Sequence, residues 1–159
     1  MIDRQSMVEQ SVVDYAKAAL AVRGYAQGAA YVMEDDFIDH VHEEFEQNVI
    51  SIGFDFDDDG TQAETGSSLT LRTYTIEFMV FGTTRAFARN IAAVMKFALE
   101  NEGTIPLKDY EQDGDPEIDR MVVLGASTER QRVDRPEPWQ EHMYLTTVRV
   151  EDTYYAALV

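Results

Sequence analysis

The chain has 159 residues, no cysteine, and thirty acidic side chains against thirteen basic ones, for a formal charge of −17. A chain of this length is expected to fold as one domain, residues 1–159, with a core that needs no disulfide staples. So much negative charge disfavours gripping a nucleic-acid backbone or an anionic membrane, because both need phosphates neutralised by Lys and Arg.

From the N-terminus, Ser6-Met7-Val8-Glu9 has the spacing of a capping box, and Val8, Val12, Tyr15, Ala19 and Val22 recur at helical intervals. A helix over about residues 6–22 is predicted, ending near Gly24 and Gly28. The opening MIDRQSMVEQ lacks the apolar block of a signal peptide, and no apolar run reaches the length of a membrane span. A soluble protein assembled in a reducing compartment is expected.

Next comes the acidic stretch EDDFIDHVHEEFEQ, where Phe37, Val41 and Phe45 share a spacing of four that fits a short helix. His40 and His42, beside Asp39 and Glu43, raise the question of a metal. No third and fourth ligand follows at a sensible spacing, so no metal site is expected.

Ile50, Ile52, Phe54 and Phe56 alternate as one face of a strand. GFDFDDDGTQAETGSS then places Asp55, Asp57, Asp59 and Gly60 as an EF-hand loop begins. The twelfth position, which needs a bidentate glutamate, is Gly66, and Glu64 falls two residues early. With strands on both sides, the stretch reads as a projecting, acidic β-hairpin tip.

The second strand, SLTLRTYTIEFMVFG, has Tyr74, Ile76, Phe78 and Val80 on one face. Its other face carries Thr73, Thr75, Glu77, Met79 and Phe81, only partly polar, which suits either a covering helix or another chain. Thr83-Thr84 can cap a helix through Asn101 that Gly103 ends, with Phe87, Ile91, Val94, Met95 and Ala98 as its buried stripe. Arg85, Arg89 and Lys96 lie off that stripe, free to meet the chain's own acids or an acidic neighbouring subunit.

IPLKDYEQDGDPE reads as a loop, IDRMVVLGA as a buried strand, and STERQRVDRPEPWQE as a long connection broken by Pro136 and Pro138. In the last strand, HMYLTTVRVEDTYYA, Tyr144, Val148 and Val150 face inward. Met143, Leu145, Thr147, Arg149 and Glu151 alternate with them, and Trp139 just before is either a lid on the core or an interface residue. The predicted class is α+β: a small, mostly antiparallel sheet of about four strands packed against helices.

No nucleophile elbow, phosphate-binding glycine loop or metal-ligand set is present, and His40, His42 and His142 have no visible triad partners. A non-enzymatic protein without cofactors is expected.

RTYTIEFMVFGTTRAFARNIAAVMKFALE and, later, PEPWQEHMYLTTVRVEDTYYAAL resemble the tail terminator proteins of long-tailed (siphovirus-type) phages, most closely those of phages infecting actinobacteria. The resemblance runs from DRQSMVEQSVVDY to the C-terminus, although VMEDDFIDHVHEEFEQ matches no fixed family pattern. It implies a ring, usually of six copies, that caps the tail tube, ends its growth and offers the head-neck connector or stopper protein a docking surface. It further implies residence at the head-tail junction of the virion after assembly in the host cytoplasm, passage of viral DNA through the bore, and no catalytic residues. The strand Arg72–Phe81 and the helix Thr84–Asn101 would form the body, with the hairpin around Asp57, Asp58, Asp59 and Gly60 projecting from it. The candidate interface residues are Asp57, Asp58, Asp59, Glu64, Arg85, Arg89, Met79, Phe81 and Trp139. Six copies at −17 each carry about −102, enough to repel DNA phosphates within ~8 Å of an acid-lined bore. The alternatives are another head-tail neck or completion protein, or an acidic DNA mimic, against which the scatter of acids over 34–46, 55–64, 109–119 and 129–141 argues.

Overall fold

The computed structural model describes residues 4–25, 32–34, 50–55, 61–62, 69–82 and 84–155. The chain runs α1 (Arg4–Val22), β1 (Val32–Glu34), β2 (Ile50–Asp55), β3 (Thr61–Gln62), β4 (Leu69–Phe81), α2 (Arg85–Asn101), β5 (Thr104–Lys108), β6 (Glu117–Gln131), a 3-10 turn (Pro138–Gln140) and β7 (Met143–Tyr155). One sheet takes the order β1-β2-β4-β7-β6-β5, with β3 paired to β4 beyond the end of β2. Among the described residues, only the β1–β2 pair is parallel. The expected α+β class, a mostly antiparallel sheet against helices, is the fold.

The long central pair sets the frame. β4 and β7 match along their whole length, from Leu69 opposite Tyr155 to Phe81 opposite Met143. Alternation then decides the inner face: Tyr74, Ile76, Phe78 and Val80 of β4 and Tyr144, Val148 and Val150 of β7 are buried, as the sequence predicts. Ile50, Ile52 and Phe54 of β2 stand in register with Val80, Phe78 and Ile76.

Both helices cover that inner face. Thr84 caps α2, its hydroxyl accepting a hydrogen bond from Phe87 N at 3.2 Å. At the far end Gly103, with φ of 70°, donates its N–H to the carbonyl of Glu100. Ala88, Ile91, Ala92, Met95, Ala98 and Leu99 are the buried stripe of α2. The buried Thr146 hydroxyl on β7 donates to the Ala92 carbonyl at 3.2 Å, fastening helix to sheet. α1 lies beside α2 and over β5, where Ser11 Oγ accepts the Lys108 N–H at 3.0 Å.

Several local expectations are corrected. α1 already runs from Arg4, so Ser6 lies inside the helix and does not cap it. Its buried face is Val8, Val12, Val13, Ala16 and Leu20, while Val22 stands 83% exposed. A step of four from Val8 drifts slowly around the helix, and packing against α2 and β5 selects that line rather than the one through Tyr15 and Ala19. Residues 105–108, predicted as loop, belong to β5, the edge strand, where Pro106 need donate no ladder hydrogen bond. β6 continues to Gln131 through the first third of the predicted connection, and of its residues only Met121 is fully closed off. A strand one place from the edge keeps an open side, so β6 is not the buried strand its apolar run suggests. The predicted helix over Phe37–Phe45 and the tip Asp57–Gly60 lie outside the described residues.

Candidate interaction surface

Among the described residues no helix covers the other face of the sheet. Pairing lines up its side chains in rows: Met79 of β4 opposite Leu145 of β7, itself opposite Glu129 of β6; and Glu77 opposite Thr147 opposite Ser127. Further along, Thr75, Arg149 and Gly125 form a third row. Apolar and charged groups thus alternate over this face, with Met79, Leu145 and Thr147 half-buried. On β6, Val122 and Leu124 are each 46% exposed, and Leu124 sits at the irregularity between Val123 and Gly125. That bulge adds a residue to one strand and turns a leucine outward.

The helix layer has a second, smaller apolar place. Tyr15, Ala18, Ala19 and Val22 of α1 and Ala98 and Asn101 of α2 line a cleft of about 290 Å³. Beside it the Arg23 guanidinium stands 5.5 Å from the ring of Phe97, an exposed residue.

The candidate residues are distributed unevenly over these features. Met79 is on the open face as expected. Phe81 is 3% exposed and opposite Met143, so its ring belongs to the packing of its own subunit and offers no open surface. Arg85 and Arg89 lie on the first turns of α2, off the buried stripe; Arg85 Nε donates to Tyr144 Oη at 3.3 Å, and Arg89 is exposed. Trp139 lies in the 3-10 turn, with its side chain outside the described residues. Asp57, Asp58, Asp59 and Glu64 lie outside them too, though their flanks are placed. Asp55 is opposite Thr75 and Thr61 opposite Leu71, so residues 56–60 intervene where β4 spends only 72–74, two more than a regular ladder takes.

Two clusters escaped the sequence reading. The first is an ionic knot at the end of the sheet where β7 finishes. Asp152, 0% exposed, accepts hydrogen bonds from Arg4 Nε at 2.6 Å and Nη2 at 2.9 Å. Arg4 Nη2 also donates to Asp119 of β6 at 2.9 Å, and its guanidinium lies 4.3 Å from the centre of the Tyr154 ring. Burial by itself would lower the pKa of Arg4; the two carboxylates outweigh it and raise it. Alternation from Val148 and Val150 does put Asp152 on the inner face, but its partner lies 148 residues away with no local signal. The second cluster, Arg130, Arg132 and Arg135, was hidden in a stretch read as connection.

Among the described residues no group of three or more His, Cys, Asp or Glu could hold a metal ion. No described helix is long and apolar enough to cross a membrane. No protein-family model matches the chain, and no curated protein matches it in sequence.

Proposed function

We propose that this chain is a ring-forming structural subunit of a phage tail, a tail terminator, acting through shape and charge and without covalent chemistry. In this reading several copies, six by resemblance, cap the tail tube, end its elongation and present the opposite rim to the head-neck connector. The observation that carries it is a sheet whose described helices both lie on one side and whose other face mixes Met79, Leu145, Val122 and Leu124 with polar neighbours. A surface of that texture, too apolar for water alone and too polar for a core, suits subunit contact. The charge of −17 per copy adds a second support, since acids facing a bore would let DNA slide without lodging.

A nucleic-acid mimic would need free carboxylates running along one face. Glu117 and Asp119 instead pair with Arg120 and Arg4.

The test is electron microscopy of purified tail tubes with and without the protein. The reading expects a ring of density on one tube end and tubes that no longer lengthen when tube protein is added. Tubes that keep growing, with bare ends, would refute it.

A further inference from the structure

Several cations of this acidic chain gather at one end of the molecule, while Lys17, Arg23, Lys108 and Arg149 lie elsewhere on it. Arg4, Lys96 and Arg120 are paired with carboxylates. Arg89, Arg130, Arg132 and Arg135 form no ion pair with any described residue. These four, with Arg85, occupy the same end of the molecule. β4 ends there at Phe81 opposite Met143, Met143 is opposite Gln131 at the end of β6, and α2 begins just after β4. The Arg130 side chain is only partly exposed and its Nε is enclosed without an acceptor. Arg130, Arg132, Val133 and Pro136 line a groove of about 250 Å³ together with Gln140 and one carboxylate, Glu141, which forms no ion pair with either arginine. That is less than the roughly 300–1,000 Å³ typical of small-molecule clefts. A half-enclosed guanidinium facing a shallow groove calls for an anionic group from outside.

The opposite end of β6 carries that group. The turn from β5 to β6 reads DYEQDGDP, without a single base. It is a built knob: Asp109 N donates to the Pro116 carbonyl at 3.0 Å, and the Asp109 carboxylate accepts from Glu111 N at 3.0 Å and Gln112 Nε2 at 2.7 Å. Gly114 and Asp115 take positive φ of 83° and 47° to close it. Asp113 and Asp115 are exposed at its tip and bonded to no described cation. The fifteen residues of β6 separate knob and groove by about 50 Å.

We infer that the acidic β5–β6 turn of one copy docks into the arginine groove of the next, a head-to-tail contact that repeats along the axis of β6. The occupant is a second copy rather than a nucleic acid because the remainder of a −17 surface repels phosphate, while the same chain supplies rigid, unpaired carboxylates. A heterologous contact of this kind closes into a ring or runs on as a filament, according to the rotation at each step. The inference deepens the ring reading and rests on it only for closure.

The chain has no cysteine, so introduced thiols report the contact without background. A full-length variant with Gln112→Cys and Val133→Cys, oxidised at low salt, should give a ladder of linked oligomers on a non-reducing gel. Either substitution alone should give only the dimers of chance collision. Adding Asp113→Lys and Asp115→Lys to the two-thiol chain should lower the ladder about fivefold or more, as should high salt. Mixing that chain with a two-thiol partner carrying Arg132→Glu and Arg135→Glu should restore it, because each altered knob then meets an altered groove. No ladder, or a ladder indifferent to these reversals, overturns the contact. Rings on tube ends without a ladder overturn the contact and leave the tail reading standing, whereas a ladder without capped tubes supports the contact and removes the tail reading.

Discussion

Arg4, at the head of α1, closes over Asp152 near the end of β7, the one fully buried carboxylate among the described residues, with two hydrogen bonds of 2.6 and 2.9 Å. The contact ties the first helix to the last strand across almost the whole chain. Removing one partner of such a pair leaves a charge enclosed without compensation, and the cost is several times that of an exposed salt bridge. Arg4→Met should therefore destabilise the fold by about 3 kcal/mol, read as a drop in denaturation midpoint with little change in slope. Arg4→Met combined with Asp152→Leu should recover most of the loss, since no charge is then stranded. A double variant as unstable as the single one would show that packing, not charge, holds this corner.

Gly82 makes the passage from β4 to α2 in a space with no room for a side chain. A Cβ there would fall 2.8 Å from Ala88 Cβ and 3.0 Å from the Thr84 carbonyl oxygen, atoms that belong to the helix itself or its cap. Neither can swing aside as a flexible side chain would. Gly82→Ala should cost about 1–3 kcal/mol through overpacking and a shifted helix start. Shaving the neighbour with Ala88→Gly should relieve only part, because the carbonyl contact stays and a glycine inside α2 adds about 1 kcal/mol of its own.

These two corners also show where the sequence was readable. β4, β7 and α2 announce themselves because a single physical demand, burying one face, repeats over thirteen to seventeen residues. β5 is five residues long and contains Pro106, and only its place at the sheet edge makes that proline harmless. The end of β6 was obscured because Ser127, Thr128, Glu129, Arg130 and Gln131 border an open face and carry no hydrophobic rhythm. The face of α1 came out rotated, since several apolar lines run along it and only tertiary packing chooses among them. For the candidate surface, Met79, Arg85 and Arg89 could be found from their position on regular elements. The arginines 130, 132 and 135 gain meaning only when pairing brings the end of β6 beside the start of α2.

Two enclosed phenols set an alkaline limit. Burial raises the pKa of Tyr74 above its ordinary 10.0, with the Arg72 guanidinium opposing in part. Burial, followed by the carboxylate of Asp14, raises Tyr110 further still. Both phenols ionise more readily in the unfolded chain than in the folded one, so the folded state holds more protons at high pH. The stability they contribute is complete below pH 10 and is lost progressively as the pH climbs beyond it. Ultraviolet absorbance of tyrosinate should therefore lag in the native protein and then rise together with loss of circular dichroism. Tyr110→Phe should move that alkaline transition upward; a midpoint that stays put would mean that other groups govern it.

The acidic run Asp57-Asp58-Asp59 bears on assembly rather than folding. β2 pairs with β4 up to Asp55 and β3 pairs with it from Thr61, and neither ladder depends on which side chains occupy the run. Replacing all three with Asn removes three negative charges and no described contact. The isolated subunit should keep its denaturation midpoint within about 0.5 kcal/mol, the usual range for surface substitutions. If the run meets cationic groups on a neighbour, capping of tail tubes should weaken at physiological salt, and the difference from the native sequence should shrink as added salt screens both. If the run faces only solvent or the bore, capping should be unchanged or strengthened by the reduced repulsion between copies. Titrating tubes with each protein and counting capped ends by electron microscopy separates the two, because the sign of the effect differs and not merely its size.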